Sequence, residues 1–247
     1  MAVADALGSA WFSTFTKKAS LHADTRSFLS TIPKWSSVAA VSPPCTKDIE
    51  SSISLLAAKA TACGPDGICY AAWAAIIELA SNILFNVNLF LFNGGLMGLD
   101  FNEQFNVFIP KSSCQDRTPE ALATRPLGLK NSAPKILAHA NSRRFYRVLD
   151  SECTNIQRGS IAGRNFALNI PELDTVARIQ AMCGTWGSEA ILALFDFANA
   201  YPSIFHCWIQ AVFKHLGFPD GFLDFLNALL FHNVAFWGGV AIRFFFM

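Results

Sequence analysis

Apolar residues recur at helical spacing over much of the chain, and the breaks in that spacing divide it into elements. From Thr46 onward, Ile49, Ile53, Leu56 and Ala57 line one face, and Asp48 and Glu50 put negative charge in the first turn, where the peptide dipoles favour it. The spacing predicts a helix that stops by Gly64. A second helix runs from about Cys69 to Leu91 and is bounded by Gly94, Gly95 and Gly98. Residues 105–109 alternate as a strand does. Asn131 or Ser132 can cap a helix that has Pro134 in its first turn and reaches about Leu149. Residues 190–195 form a short continuous apolar run ending at Asp196, the pattern of a buried strand that delivers a carboxylate at its end. Residues 204–216 read as a helix closed by Gly217, and 220–231 as another. Residues 1–45 hold no sustained period and end at the turn formers Ser42, Pro43 and Pro44, so they read as a loosely organised lead-in. No internal repeat is visible.

Composition sharpens this picture. The 247 residues suffice for one large domain or two small ones, and 52% of them are hydrophobic. Only 15% are charged, against about 25% in an ordinary soluble domain, so apolar surface is left for a partner, a membrane or further chain to cover. A formal net charge of +1 excludes wholesale basic character of the histone kind. The charge is uneven, however: residues 111–164 carry ten Lys or Arg against four acids, so a nucleic-acid surface would be local to this basic middle. Seven cysteines without a CxxC pair read as reduced thiols, and the amino terminus lacks a secretory signal, which together predict an intracellular, cytosolic or nuclear protein. Two apolar stretches test a membrane reading. Residues 69–92 are interrupted by Glu78, Asn82, Asn86 and Asn88, and residues 225–242, though free of formal charge, by Asn227, His232, Asn233, Gly238 and Gly239. No membrane partner is therefore expected.

Four short patterns carry the candidate chemistry. The first, Gly-Pro-Asp-Gly-Ile at 64–68, is by itself a turn leading into a helix with Tyr70 and Trp73. The second is Ile-Pro-Lys at 109–111 followed by Arg-Pro-Leu at 125–127. Lys111 and Arg125, converging from the two arms of a hairpin, could clamp a triphosphate, the arginine through its fork and the lysine as a point charge; the plainer reading is a pair of solvated surface charges. The third runs from Gln157 to Ile170, where Gly159 and Gly163 lie beside Arg158 and Arg164 and permit close backbone approach to a polyanion. The fourth, residues 193–204, puts Asp196 at the exit of the apolar run with Tyr201 five residues on. That suits a metal-bound carboxylate beside a nucleotide sugar, and equally a capping Asp at a strand-to-loop turn.

In this order the four resemble the reverse transcriptase domain of non-LTR (LINE-type) retrotransposons. Gly64–Ile68 is similar to the motif that precedes the fingers in these elements, and the second pattern to their two fingers motifs. Gln157 to Ile170 matches the family's QxGFxxGRxxxxNI at every fixed position except Ser160, where Phe is usual, and residues 194–204 resemble polymerase motif A. The resemblance spans about 46–240, leaving 241–247 as a tail unlike the family. It implies an α+β fold, the fingers and first part of the palm of a right-hand polymerase. It also implies RNA-directed DNA polymerisation from dNTPs on an RNA template paired to a DNA primer, with Mg²⁺. Asp196 falls on the catalytic, metal-binding aspartate. Lys111, Arg125 and the backbone at Phe197 fall on the triphosphate path, and Tyr201 on the aromatic under the sugar that excludes a 2′-hydroxyl. Gln157, Gly159, Gly163 and Arg164 fall on the segment that cradles template and primer.

The departures bear on activity. Pro202 stands where a second Asp is frequent, and Pro171 is expected to break the helix that normally follows Asn169 and Ile170. The glycine-rich motif B is absent, and the sequence contains no Asp-Asp pair, so motif C is absent as well. A two-metal site needs several carboxylates around ions about 4 Å apart. The expectation is thus an inactive domain truncated after motif A, with a non-catalytic nucleic-acid-binding retroelement remnant as the alternative. Phe222, Phe225, Leu226, Leu229, Leu230, Phe231, Phe236 and Trp237 crowd the last part of the chain and are expected to be exposed, giving self-association through the tail.

Overall fold

A computed structural model describes residues 2–15, 23–59, 61–111, 120–183, 191–197, 200–201, 204–230, 233, 235–237 and 240–242. Ala190, Pro202, Phe231, His232, Gly238, Gly239 and residues 243–247, which figure in the sequence reading, lie outside that set. The chain is α+β.

The core is built where three amphipathic helices meet. Helix α3 (Thr46–Ala57) begins with the backbone N–H of Cys45 donating to the Asp48 carboxylate at 2.8 Å, which occupies a donor that the helix leaves without an internal partner. Its Ile49 and Ile53 are fully buried. The predicted helix from Cys69 to Leu91 is two helices, α4 (Tyr70–Ala75) and α5 (Ile77–Phe92), separated by a non-helical Ile76 (φ −126, ψ 41). The break lets Trp73 of α4 reach across to Ser132, while the α5 face of Ala80, Leu84, Asn88 and Leu91 packs toward α3 and the helix Asp220–Leu230. Helix α6 (Ser132–Glu152) completes this layer with Ile136, Leu137 and Ala140, all buried. Asn88 and Asn141 meet inside it, the Asn141 amide donating to Asn88 Oδ1 at 2.8 Å.

Strands β1 (Gln104–Pro110) and β2 (Thr124–Lys130) form an antiparallel hairpin with Ile109 opposite Arg125. Short strands β3 (Ala235–Trp237) and β4 (Val240–Ile242) join it in the order β2-β1-β3-β4, β3 running parallel to β1. The alternation of β1 is real but reversed in sense. Gln104 and Asn106 are buried and hydrogen-bonded to each other at 3.0 Å, whereas Phe105, Val107 and Ile109 face outward. Gly128 lies where a β-carbon would fall 2.4 Å from Gln104 Oε1, so glycine there makes room for the inward amide.

Several expectations are corrected. The lead-in is helical: α1 (Ala2–Phe15) and α2 (Ala23–Ser30) precede a 3-10 turn at Val38–Ala40. Trp11 of α1 is buried with its indole donating to the Ala121 carbonyl. Ser36 and Ser37 donate three hydrogen bonds to one oxygen of Glu152, which ties the lead-in to the end of α6 and holds that carboxyl below the usual range. Pro171 does not break a helix. It lies in the first turn of α7 (Asn169–Cys183), where a missing N–H costs no internal hydrogen bond. Residues 191–197 are not a strand; they are exposed and without regular structure, since an apolar run becomes a strand only when a neighbour supplies the hydrogen-bonding row.

The tail is the largest correction. Helix α8 (His206–Leu216) closes on Gly217, whose φ of +96 gives the left-handed turn foreseen there. Helix α9 (Asp220–Leu230) follows, with Phe222, Phe225 and Ala228 buried. Phe225 stacks on Phe92 at 5.2 Å, and Phe145, Phe213, Phe218 and Phe222 form a cluster of mostly edge-on rings. The expected exposed apolar tail is, through Phe222, Leu223, Phe225 and Ala228 of α9, part of the core. Among the described residues no helix is long and apolar enough to cross a membrane.

Candidate nucleotide and nucleic-acid interface

The hairpin brings two of the foreseen residues together. Because Ile109 opposes Arg125 and the Lys111 N–H bonds to the Ala123 carbonyl at 2.9 Å, Lys111 and Arg125 lie on one face at one end of β1 and β2. The Lys111 ammonium, a group with three donors, donates to the Leu122 carbonyl at 3.0 Å. Arg125 is exposed, and among the described residues no acid pairs with it.

The root of this hairpin is braced by the first motif. Its turn is made by Gly67 at φ +70 and by Asp66, which accepts from the Ile68 N–H at 2.9 Å. The Asp66 N–H donates to Asn131 Oδ1 at 3.1 Å, and Asn131 Nδ2 donates to the Asp100 carbonyl at 2.8 Å. Trp73 donates to Ser132 Oγ at 2.7 Å, and that hydroxyl donates to the Ile68 carbonyl at 2.7 Å. Asn131 is thus the N-cap residue of α6 by position, yet its side chain joins the motif to the strand–helix corner instead of capping.

The third motif folds on itself. Arg164 donates to the carbonyls of Asp150, Cys153, Thr154 and Gln157 and to the Asp150 carboxylate. Its donors therefore serve the last turn and C-cap of α6 and the loop that follows, where backbone acceptors lack helical partners. Arg158 holds Asn169 at 2.6 Å and grips both oxygens of Glu172, whose carboxyl is kept below the usual range by that pair. Ser160, at φ +62, and Gly163, at φ +82, turn the loop. Gln157 donates to the Gly159 carbonyl at 2.9 Å, and a β-carbon on Gly163 would meet only open space. Of this segment the two glycines and Gln157, not Arg164, remain accessible for a ligand.

Asp196, Phe197 and Tyr201 are exposed, Phe197 and Tyr201 at 76% and 88%. Asp196 is not gathered with other ligands, for among the described residues no group of three His, Cys, Asp or Glu side chains could hold a metal ion.

Two features escaped the sequence reading. Lys130, at the end of β2, is half-buried with its ammonium 3.4 Å from the Leu229 carbonyl of α9, and desolvation pushes its pKa down to about 8. Arg143 of α6 donates to Ser51 Oγ of α3 at 2.8 Å, and burial, with the charges of Arg143 and Lys59, holds the His139 pKa below its ordinary value. No protein-family model and no curated protein sequence matches this chain.

Proposed function

We propose that the chain is a reverse-transcriptase-type polymerase domain of a non-LTR retrotransposon, whose hairpin grips the phosphates of a nucleotide. The observation that carries the reading is the placement of Lys111 and Arg125 on one face at one end of a braced hairpin. Two cations held in that way suit an extended polyphosphate, the guanidinium bidentate and the ammonium as a compact charge. Asp196 is exposed and, among the described residues, belongs to no group of three His, Cys, Asp or Glu side chains that could hold a metal ion, so the reading rests on the hairpin. The reading accordingly includes no metal-dependent step.

The test pairs binding with turnover. A fluorescent dTTP analogue should bind, and Lys111→Gln with Arg125→Gln together should weaken it at least tenfold; equal affinity would remove the clamp. Labelled dTTP on poly(rA) with oligo(dT) should show background incorporation only. Incorporation lost in Asp196→Ala would establish the chain as an active polymerase and set aside the binding-only role.

A further inference from the structure

The Lys111 and Arg125 pair is one end of a longer surface. Residues directly opposite each other in an antiparallel hairpin share a face, so the register that puts Ile109 beside Arg125 also puts Val107 beside Leu127 and Phe105 beside Leu129 on that face. Phe105, Val107, Ile109 and Leu127 are exposed, and Leu129 is half-buried. The polar side chains of β1 lie on the other side, where Gln104 and Asn106 are buried and bonded to each other. The hairpin thus presents an apolar strip, the width of its paired strands, that ends in two cations.

A ligand that matches this strip carries negative charge at one end and a flat apolar body at the other. Same-face neighbours along a strand are about 7 Å apart, so a polyphosphate held between Lys111 and Arg125 leaves the sugar and base of the same nucleotide to lie toward Val107 and Leu127. Those side chains cover the face of a ring by apolar contact. Neither has a donor or acceptor with which to read the edge of a base. We propose that Val107 and Leu127 form a nucleoside subsite beside the cation pair, one that accepts nucleoside triphosphates whatever their base and holds them by ring area. This rests on the reading of Lys111 and Arg125 as a polyphosphate clamp, and it adds where the rest of the nucleotide lies. A purine covers more of the strip than a pyrimidine, so affinity follows ring size and ignores the exocyclic groups.

The test is isothermal titration of the full chain with dATP, dGTP, dTTP, dCTP and inorganic tripolyphosphate. Purine nucleotides should bind several-fold more tightly than pyrimidine nucleotides, with dATP and dGTP alike to within about twofold. Val107→Thr with Leu127→Thr keeps β-branched residues at exposed strand positions, so the hairpin stays folded, which circular dichroism checks. This double variant should bind each nucleotide about tenfold more weakly and tripolyphosphate as the parent does. Unchanged nucleotide affinity would overturn the subsite and leave the clamp standing. An equal loss for tripolyphosphate would also overturn it, since the substitutions would then act through the cations. Strong discrimination between dATP and dGTP would show that a polar group reads the base edge and would overturn selection by ring area. Lys111→Gln with Arg125→Gln separates the two ideas: unchanged tripolyphosphate binding removes the clamp, whereas nucleotide binding that still depends on Val107 and Leu127 keeps the subsite. A chain that binds neither tripolyphosphate nor any nucleotide overturns both.

Discussion

Gly64 lies directly against Asn131: a β-carbon on Gly64 would fall 2.3 Å from the Asn131 backbone nitrogen and 2.5 Å from its Oδ1. The first motif and the start of α6 are therefore fitted backbone to backbone, with no space for a methyl group. Gly64→Ala should destabilise the protein by about 2 kcal/mol, because the obstacle is main chain and cannot rotate away. Gly67→Ala makes the control. It has open space and only its left-handed φ to suffer, a cost of about 1 kcal/mol. Urea midpoints of the two variants should rank in that order.

Arg164 is expected to matter for stability. Arg164→Ala strips four carbonyls of a charged donor near the end of α6 and should cost about 2 kcal/mol, with faster amide exchange at 150–164. Arg164→Lys should recover little, since one ammonium cannot reach acceptors spread over the loop. If the alanine variant instead kept full stability while RNA affinity fell, the guanidinium would be serving a ligand.

Lys130 predicts a pH dependence of definite sign. Its pKa is about 8 in the folded protein and near 10.5 in the unfolded chain, so between those values the unfolded state binds more protons and stability rises with pH. The penalty of burying the charge is present in full below about pH 8 and gone by about 10.5, on the order of 3 kcal/mol. Urea unfolding at pH 7, 8, 9 and 10 should show the rise, and Lys130→Met should remove this contribution.

The burial of α9 makes it part of what holds the core together. Phe225→Ala should cost about 3–5 kcal/mol, because the ring fills space among α5, α6 and α9. Ending the chain at Gly217 should abolish cooperative unfolding, measured by circular dichroism, since both apolar clusters lose residues of α9. A truncated chain with a sharp transition would mean that the helices from α3 to α6 hold a core without it.

Caps, turn residues and apolar periods are local properties, and the elements they specify were readable. The α3 start at Thr46, the Gly217 stop, the α9 start at Asp220 and the two-armed hairpin carrying Lys111 and Arg125 all stand close to where the residues put them. Tertiary structure decided whatever depends on a distant partner. The alternation in β1 marks two faces but not which is inside, and packing turned Gln104 and Asn106 inward because Gly128 across the hairpin leaves space. The run at 190–195 had strand composition, but a strand is a pairing between segments, and residues 191–197 have none. Arg164 and Arg143 look alike in the sequence. One meets the free carbonyls at the end of α6 and the other a serine of α3, a difference set by what the fold brings within reach of a side chain.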